Sequence, residues 1–121
     1  MYKLYVIFSE EAVKAMGGNR GKLAAQSGHA YLHAFWDSEE RFHKDATNYR
    51  ETPDRTKIAL RVASKNELRA FYEHYRRLCG VSLVKDAGKT VFSHPTVTCL
   101  GLGPIHEEDV GLDLKSLRVF I

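Results

Sequence analysis

Apolar runs of strand length recur along this chain, with stretches of helical periodicity between them. That alternation restricts the fold more than any other feature. The first run, Leu4-Tyr5-Val6-Ile7-Phe8, is apolar at five consecutive positions. A strand that offers apolar side chains to both faces of its sheet needs cover on both faces. Ile58, Leu60 and Val62 predict a second strand, Val81–Val84 a third, Thr96–Leu102 a fourth, and Leu117–Ile121 a short fifth at an edge.

Between the first two strands, Leu23, Ala24, Ser27, Ala30, Tyr31, Ala34 and Phe35 recur at helical period and predict a helix over about 21–36. Gly17, Gly18 and Gly21 mark the loop that leads into it. A more polar helix is expected over 38–50, with Ser38 as N-cap and Glu39 and Glu40 in its first turn, where the helix dipole favours acids. Residues 51–56, with Pro53, read as loop. Ser64 and Glu67 form a capping-box pair that opens a third helix. Its apolar face is Leu68, Phe71, Tyr72, Tyr75 and Leu78, and Gly80 stands where a C-cap glycine belongs. Strands alternating with helices give an α/β sheet with helices on both faces. A chain of 121 residues has room for one domain, taken as 1–121.

Composition removes several classes of function. Hydrophobic residues are 44% of the chain and charged residues 27%, a balance that excludes wholesale disorder. Cys79 and Cys99 are too few for a disulfide framework or a four-thiolate zinc site, and buried free thiols are expected. No apolar run is long enough to cross a bilayer, and Met1-Tyr2-Lys3 lacks the layout of a signal peptide, so a cytoplasmic protein is expected. The net charge of +3 is small but unevenly placed. Residues 61–89 carry seven bases against three acids and residues 1–36 four against two, whereas 37–57 and 104–121 are net acidic.

Two phosphate-binding signatures fail on inspection. A P-loop ending at Gly21-Lys22 needs glycine at position 16 and a hydroxyl at 23, where the chain has Met16 and Leu23. Gly101 and Gly103 lack the third glycine of a dinucleotide fingerprint. His29 and His33 have a spacing that can hold a metal, but no third ligand accompanies them and no metal is assigned. Two clusters survive. On a helical wheel Lys22, Gln26, His29 and His33 share one polar stripe opposite the apolar one, with Lys22 in the first turn, where free N–H groups and the helix dipole favour anions. Lys85-Asp86-Ala87-Gly88-Lys89-Thr90 leaves the carboxyl end of the third strand, the end at which open α/β sheets gather ligands. The flanking lysines favour the charged form of Asp86, which orients a water, acts as a weak general base or caps a turn.

These residues carry a resemblance. Gly21-Lys22-Leu23-Ala24-Ala25-Gln26-Ser27-Gly28-His29-Ala30 resembles the "GKxAAQxxHA" helix of the archaeal and eukaryotic type of peptidyl-tRNA hydrolase, type 2. Ser82–Thr90 is similar to that family's "SLVxDAGxT" segment, and Thr96–Pro104 to its "TVTVLGIGP" strand. The chain departs from the pattern before the helix, where Met16–Lys22 is two residues longer and Arg20 replaces a lysine.

The resemblance implies a three-layer α/β/α domain with a mixed sheet of four or five strands, commonly a homodimer. It implies a translation enzyme that hydrolyses the ester between a peptide and the terminal ribose of tRNA, with no metal or organic cofactor. The implied site residues are Lys22, Gln26, His29, Asp86, Thr90 and Thr98. In that reading Asp86 orients or deprotonates a water and Lys22 stabilises the oxyanion or binds the terminal phosphate. Gln26, Thr90 and Thr98 hold substrate. His29 either joins them or serves as a rival base, since imidazole titrates near neutrality. Lys14, Arg20, Arg76, Arg77, Lys85 and Lys89 are the expected contacts to tRNA phosphates. The alternative is a module on the same fold that binds an RNA end or a protein without cleaving it, and a further one is a hydrolase of a different acyl ester or amide.

Overall fold

The computed structural model describes residues 1–86 and 96–121. Its elements are β1 (Tyr2–Ser9), α1 (Glu10–Ala15), α2 (Arg20–Arg41), α3 (His43–Glu51), β2 (Lys57–Val62), α4 (Lys65–Tyr75), β3 (Val81–Asp86) and β4 (Thr96–His106). A 3-10 turn (Glu107–Asp109), α5 (Leu112–Lys115) and β5 (Arg118–Val119) complete them. The strands form one mixed sheet in the order β3-β4-β1-β2-β5. β1 and β2 are parallel, and β4 is antiparallel to both of its neighbours, so β3 points the same way as β1.

Side-chain alternation divides β1 between two cores. Tyr5 and Ile7 join Leu68 and Tyr75 of α4, with Leu100 and Leu102 of β4. Val6 and Phe8 join Ala30 of α2 with Cys99, and Leu4 joins Ala34 and Tyr49 of α2 and α3. Helices therefore cover both faces, and the expected α/β/α layering with a five-stranded mixed sheet is the architecture present. No helix of the described residues is long and apolar enough to cross a membrane.

The contact between α2 and the sheet is made by main chain. A Cβ on Gly101 of β4 would stand 2.0 Å from the Ala30 carbonyl oxygen, and one on Gly80 would stand 2.3 Å from that of Ala34. Two glycines facing a stripe of small residues, Ala30, Ala34 and Ser38, let the helix lie directly on β3 and β4. This corrects two expectations. Gly80 is not a C-cap, because α4 ends at Tyr75 with Arg76 as its cap residue. Ser38 is not an N-cap either: it is fully buried within α2, which runs on to Arg41. Phe42, with φ −138° and ψ 55°, makes the break before α3 instead.

Three further differences are local. α2 starts at Arg20, one residue before the expected start, and is five residues longer at its far end, and Leu78 and Ala24 are exposed rather than core-facing. α1 was not expected; Ser9 caps it and Glu10 and Glu11 fill its first turn. The capping box at Ser64 is present as expected, with Glu67 N–H donating to Ser64 Oγ and Ser64 N–H to Glu67 Oε2. β5 is the expected edge strand, shortened to two residues and paired with β2.

Candidate active site

α2 begins after a turn in which Gly17 and Gly18 take φ of +59° and +76°, values that glycine reaches without strain. Asn19 caps the helix, its Oδ1 accepting the Lys22 N–H at 3.0 Å. The Lys22 amide is thereby satisfied within the protein, which removes it from the donors expected to be open to an anion. The Lys22 side chain ion-pairs with Asp86, the last residue of β3. Lys22 is 18% exposed and Asp86 3%, so the carboxylate is almost wholly withdrawn from water. Burial of this kind is tolerated where opposite charge and hydrogen bonds compensate the lost hydration.

Beside this pair the ladder between β3 and β4 slips. Val84 pairs with Cys99 and Lys85 with Val97, leaving Thr98 as an extra residue on β4. A bulge of this kind re-aims side chains. Val97 stays in the core under α4, while Thr98 and Cys99 both reach α2. Thr98 Oγ1 donates to Gln26 Oε1 at 2.6 Å, and Cys99 Sγ donates to the Gln26 carbonyl at 3.7 Å. Gln26 is 5% exposed. The expected polar stripe on α2 is thus split. Gln26 turns into the sheet and Lys22 lies against Asp86, while His29 and His33 face solvent. The His29 ring stands 5.6 Å from that of His33, which stacks on Trp36 at 5.4 Å.

Four expected site residues, Lys22, Gln26, Asp86 and Thr98, therefore meet where the start of α2 crosses the ends of β3 and β4. His29 stands outside that group on the helix surface. Thr90 and Lys89 lie outside the described residues. Of the expected phosphate contacts, Lys14 and Arg20 flank the turn before α2 and Lys85 adjoins Asp86, and all three are exposed. Arg76 and Arg77 lie before the opposite end of β3, and Arg76 pairs there with Glu73. The described bases of 61–89 are spread: Arg76 and Arg77 precede β3, Lys85 stands near its far end, and Arg61, Lys65 and Arg69 lie on β2 and α4.

Both cysteines are buried free thiols, as expected. Burial pushes each up to about 12, so neither supplies a thiolate nucleophile near neutrality. The residues that sequence reasoning missed are the shaping ones: the Asn19 cap, the bulge at Thr98, and Gly80 with Gly101. Of these the Asn19 cap had a local signal, an asparagine just before a helical run.

A family model described as Peptidyl-tRNA hydrolase PTH2 matches residues 2–120. The chain belongs to the PTH2 family. Among similar proteins, one named peptidyl-tRNA hydrolase from Methanopyrus kandleri is 42% identical over 104 residues, covering 83% of this chain and 88% of its own. Another of that name from Methanothermobacter thermautotrophicus is 37% identical over 103 residues, covering 81% and 88%. One from Halobacterium salinarum is 33% identical over 106 residues, covering 87% and 91%. Membership in PTH2 spans both the sheet and the helix start, so the residues gathered at Lys22 and Asp86 lie within the matched region.

Proposed function

We propose that this PTH2-family chain hydrolyses the ester of peptidyl-tRNA at the Lys22–Asp86 pair. The supporting observation is the juxtaposition itself. A cation in the first turn of α2 meets a buried carboxylate at the carboxyl end of β3, beside the Thr98–Gln26 hydrogen bond. Asp86 accepts a proton from a water as that water attacks the ester carbonyl carbon. The carbonyl π pair moves onto oxygen, and Lys22 stabilises the resulting oxyanion. Collapse expels the ribose 3′ oxygen, which recovers the proton, and leaves the peptide acid and free tRNA. Gln26, held by Thr98, presents its amide N–H₂ toward substrate.

Asp86 is favoured over His29 as the base because Asp86 adjoins the cation that would hold the oxyanion, whereas the ring contact of His29 is with His33. Lys14, Arg20 and Lys85, grouped at this end of the sheet, hold phosphates of the tRNA. The same reading includes action in the cytoplasm and a homodimer, the latter checked by equilibrium sedimentation. The deciding experiment is single-turnover cleavage of peptidyl-tRNA by the parent, Asp86→Asn and His29→Ala. Loss in the first variant with activity kept in the second supports this reading, and parental rates in Asp86→Asn overturn it.

A further inference from the structure

On the flank of α2 turned away from β3 lies a cavity of about 460 Å³. Its inner surface is Leu4 with the aromatic rings of Tyr31, Phe35 and Tyr49. Exposed Arg55 and Lys57 stand at its rim with Arg50, and no acid lines it. Arg50 is committed to Glu39, while Lys57 Nζ sits 5.6 Å above the Tyr49 ring and donates to the Arg55 carbonyl at 3.1 Å, with no carboxylate within ion-pair distance among the described residues. Aromatic walls under a cationic rim suit a ligand that is flat and anionic at once.

Gly28 forms part of the mouth, and a Cβ built there meets nothing within 4 Å. Lys22 and this cavity share one helix. At 1.5 Å per residue, Gly28 lies about 9 Å and Phe35 about 20 Å along α2 from Lys22. That is a span of a few nucleotides of single strand.

We propose that this cavity is a nucleobase-binding site for the single-stranded end of the RNA substrate, with Tyr31 and Phe35 stacking a base above a floor of Leu4 and buried Tyr49, and Arg55 and Lys57 holding its phosphate. Stacking on aromatic rings is tolerant of base identity and is the usual device for holding single strands. The identity of the RNA rests on the hydrolase reading above; the affinity of the cavity for a nucleotide does not. An apolar peptide would gain from the walls alone, whereas the net positive rim adds attraction for an anion, which favours RNA.

The test is binding of a fluorescein-labelled four-nucleotide RNA with a free 3′ end to the full chain, read by anisotropy, so that no cleavage is needed. Gly28→Leu fills the mouth from an exposed helical position and replaces a poor helix former by a good one, so the fold is retained. It is expected to weaken binding at least tenfold. In turnover it should raise KM for peptidyl-tRNA with kcat little changed. Arg55→Ala and Lys57→Ala should each flatten the dependence of log affinity on log salt by about 0.7. Unaltered RNA affinity in Gly28→Leu, with thermal stability kept, overturns the proposal. So does a Gly28→Leu effect confined to sedimentation, or to binding of an apolar peptide. If the parent fails to cleave peptidyl-tRNA yet binds the RNA in a Gly28-sensitive way, the cavity assignment stands and the hydrolase reading falls.

Discussion

Thr98 gives its hydroxyl hydrogen to the side-chain carbonyl of Gln26 at 2.6 Å, joining a bulged strand to a helix across 72 positions of sequence. Both groups are buried, so the bond fixes Gln26 in one orientation. Thr98→Val keeps the shape and removes the donor, stranding a buried amide oxygen. The expected cost is about 1–3 kcal/mol in urea denaturation. Adding Gln26→Leu to that variant should recover part of the loss. A double variant less stable than Thr98→Val would contradict this account of the pair.

Asp86→Asn is nearly isosteric and should lower single-turnover cleavage of peptidyl-tRNA by about 10²–10⁴ if the carboxylate receives the proton of the attacking water. Lys22→Met should lower it by about 10²–10³ through loss of oxyanion stabilisation. These variants also differ in stability. Lys22→Met leaves a buried carboxylate without its cation and should destabilise by up to about 3–5 kcal/mol, whereas Lys22→Met combined with Asp86→Leu should regain most of that. Denaturation midpoints recorded beside the rates separate chemistry from folding.

Gly101→Ala tests the seating of α2. Its Cβ has no room beside the Ala30 carbonyl, so helix and strand must part, at a cost of about 1–3 kcal/mol or more. Gly28→Ala is the matching control: it fills open space on the exposed side of the same helix and should stabilise by about 0.5–1 kcal/mol. Equal effects of the two substitutions on the thermal midpoint would refute the close-packing argument.

Alkali should destabilise the protein through groups whose protons burial retains, the two thiols together with the Tyr31 and Tyr75 hydroxyls. Cys79 and Cys99 rise from an ordinary value near 9 to about 12 in the folded state. Below pH 9 both states keep the protons and the thiols contribute no pH dependence. Between about 9 and 12 the unfolded chain loses protons that the folded one retains, so stability falls as pH rises, by up to about 1.4 kcal/mol per pH unit for each thiol. Guanidinium titrations at pH 8 and pH 10.5 check this, and Cys79→Ala should lessen the slope. In the native state iodoacetamide should label neither thiol rapidly at pH 8.

The strands were legible because the residues that form them are apolar on both faces, as in Leu4–Phe8, and no helix of that length reads the same way. The site was half legible. Lys22 announces itself by charge next to Gly21, and Asp86 by charge beside Lys85 and two positions before Gly88. Gln26 looked like surface because a helical wheel knows nothing of a partner 72 residues away. Ser38 followed by two glutamates has every local mark of a helix start. What overrides those marks is Gly80, whose bare backbone admits the helix at that point and makes a small buried residue necessary there. α1 was missed for the opposite reason, since its Ser9-Glu10-Glu11 signal was present and too short to stand out.

Because α2 is registered against β3 and β4 through Ala30 and Ala34, two to three turns behind Lys22, its start is held from within the domain as well as by the Asn19 cap. A change of length at Gly17 and Gly18 that keeps Asn19 therefore leaves the lysine aimed as before. Insertions there would alter the exposed rim around the helix start while leaving Lys22 beside Asp86.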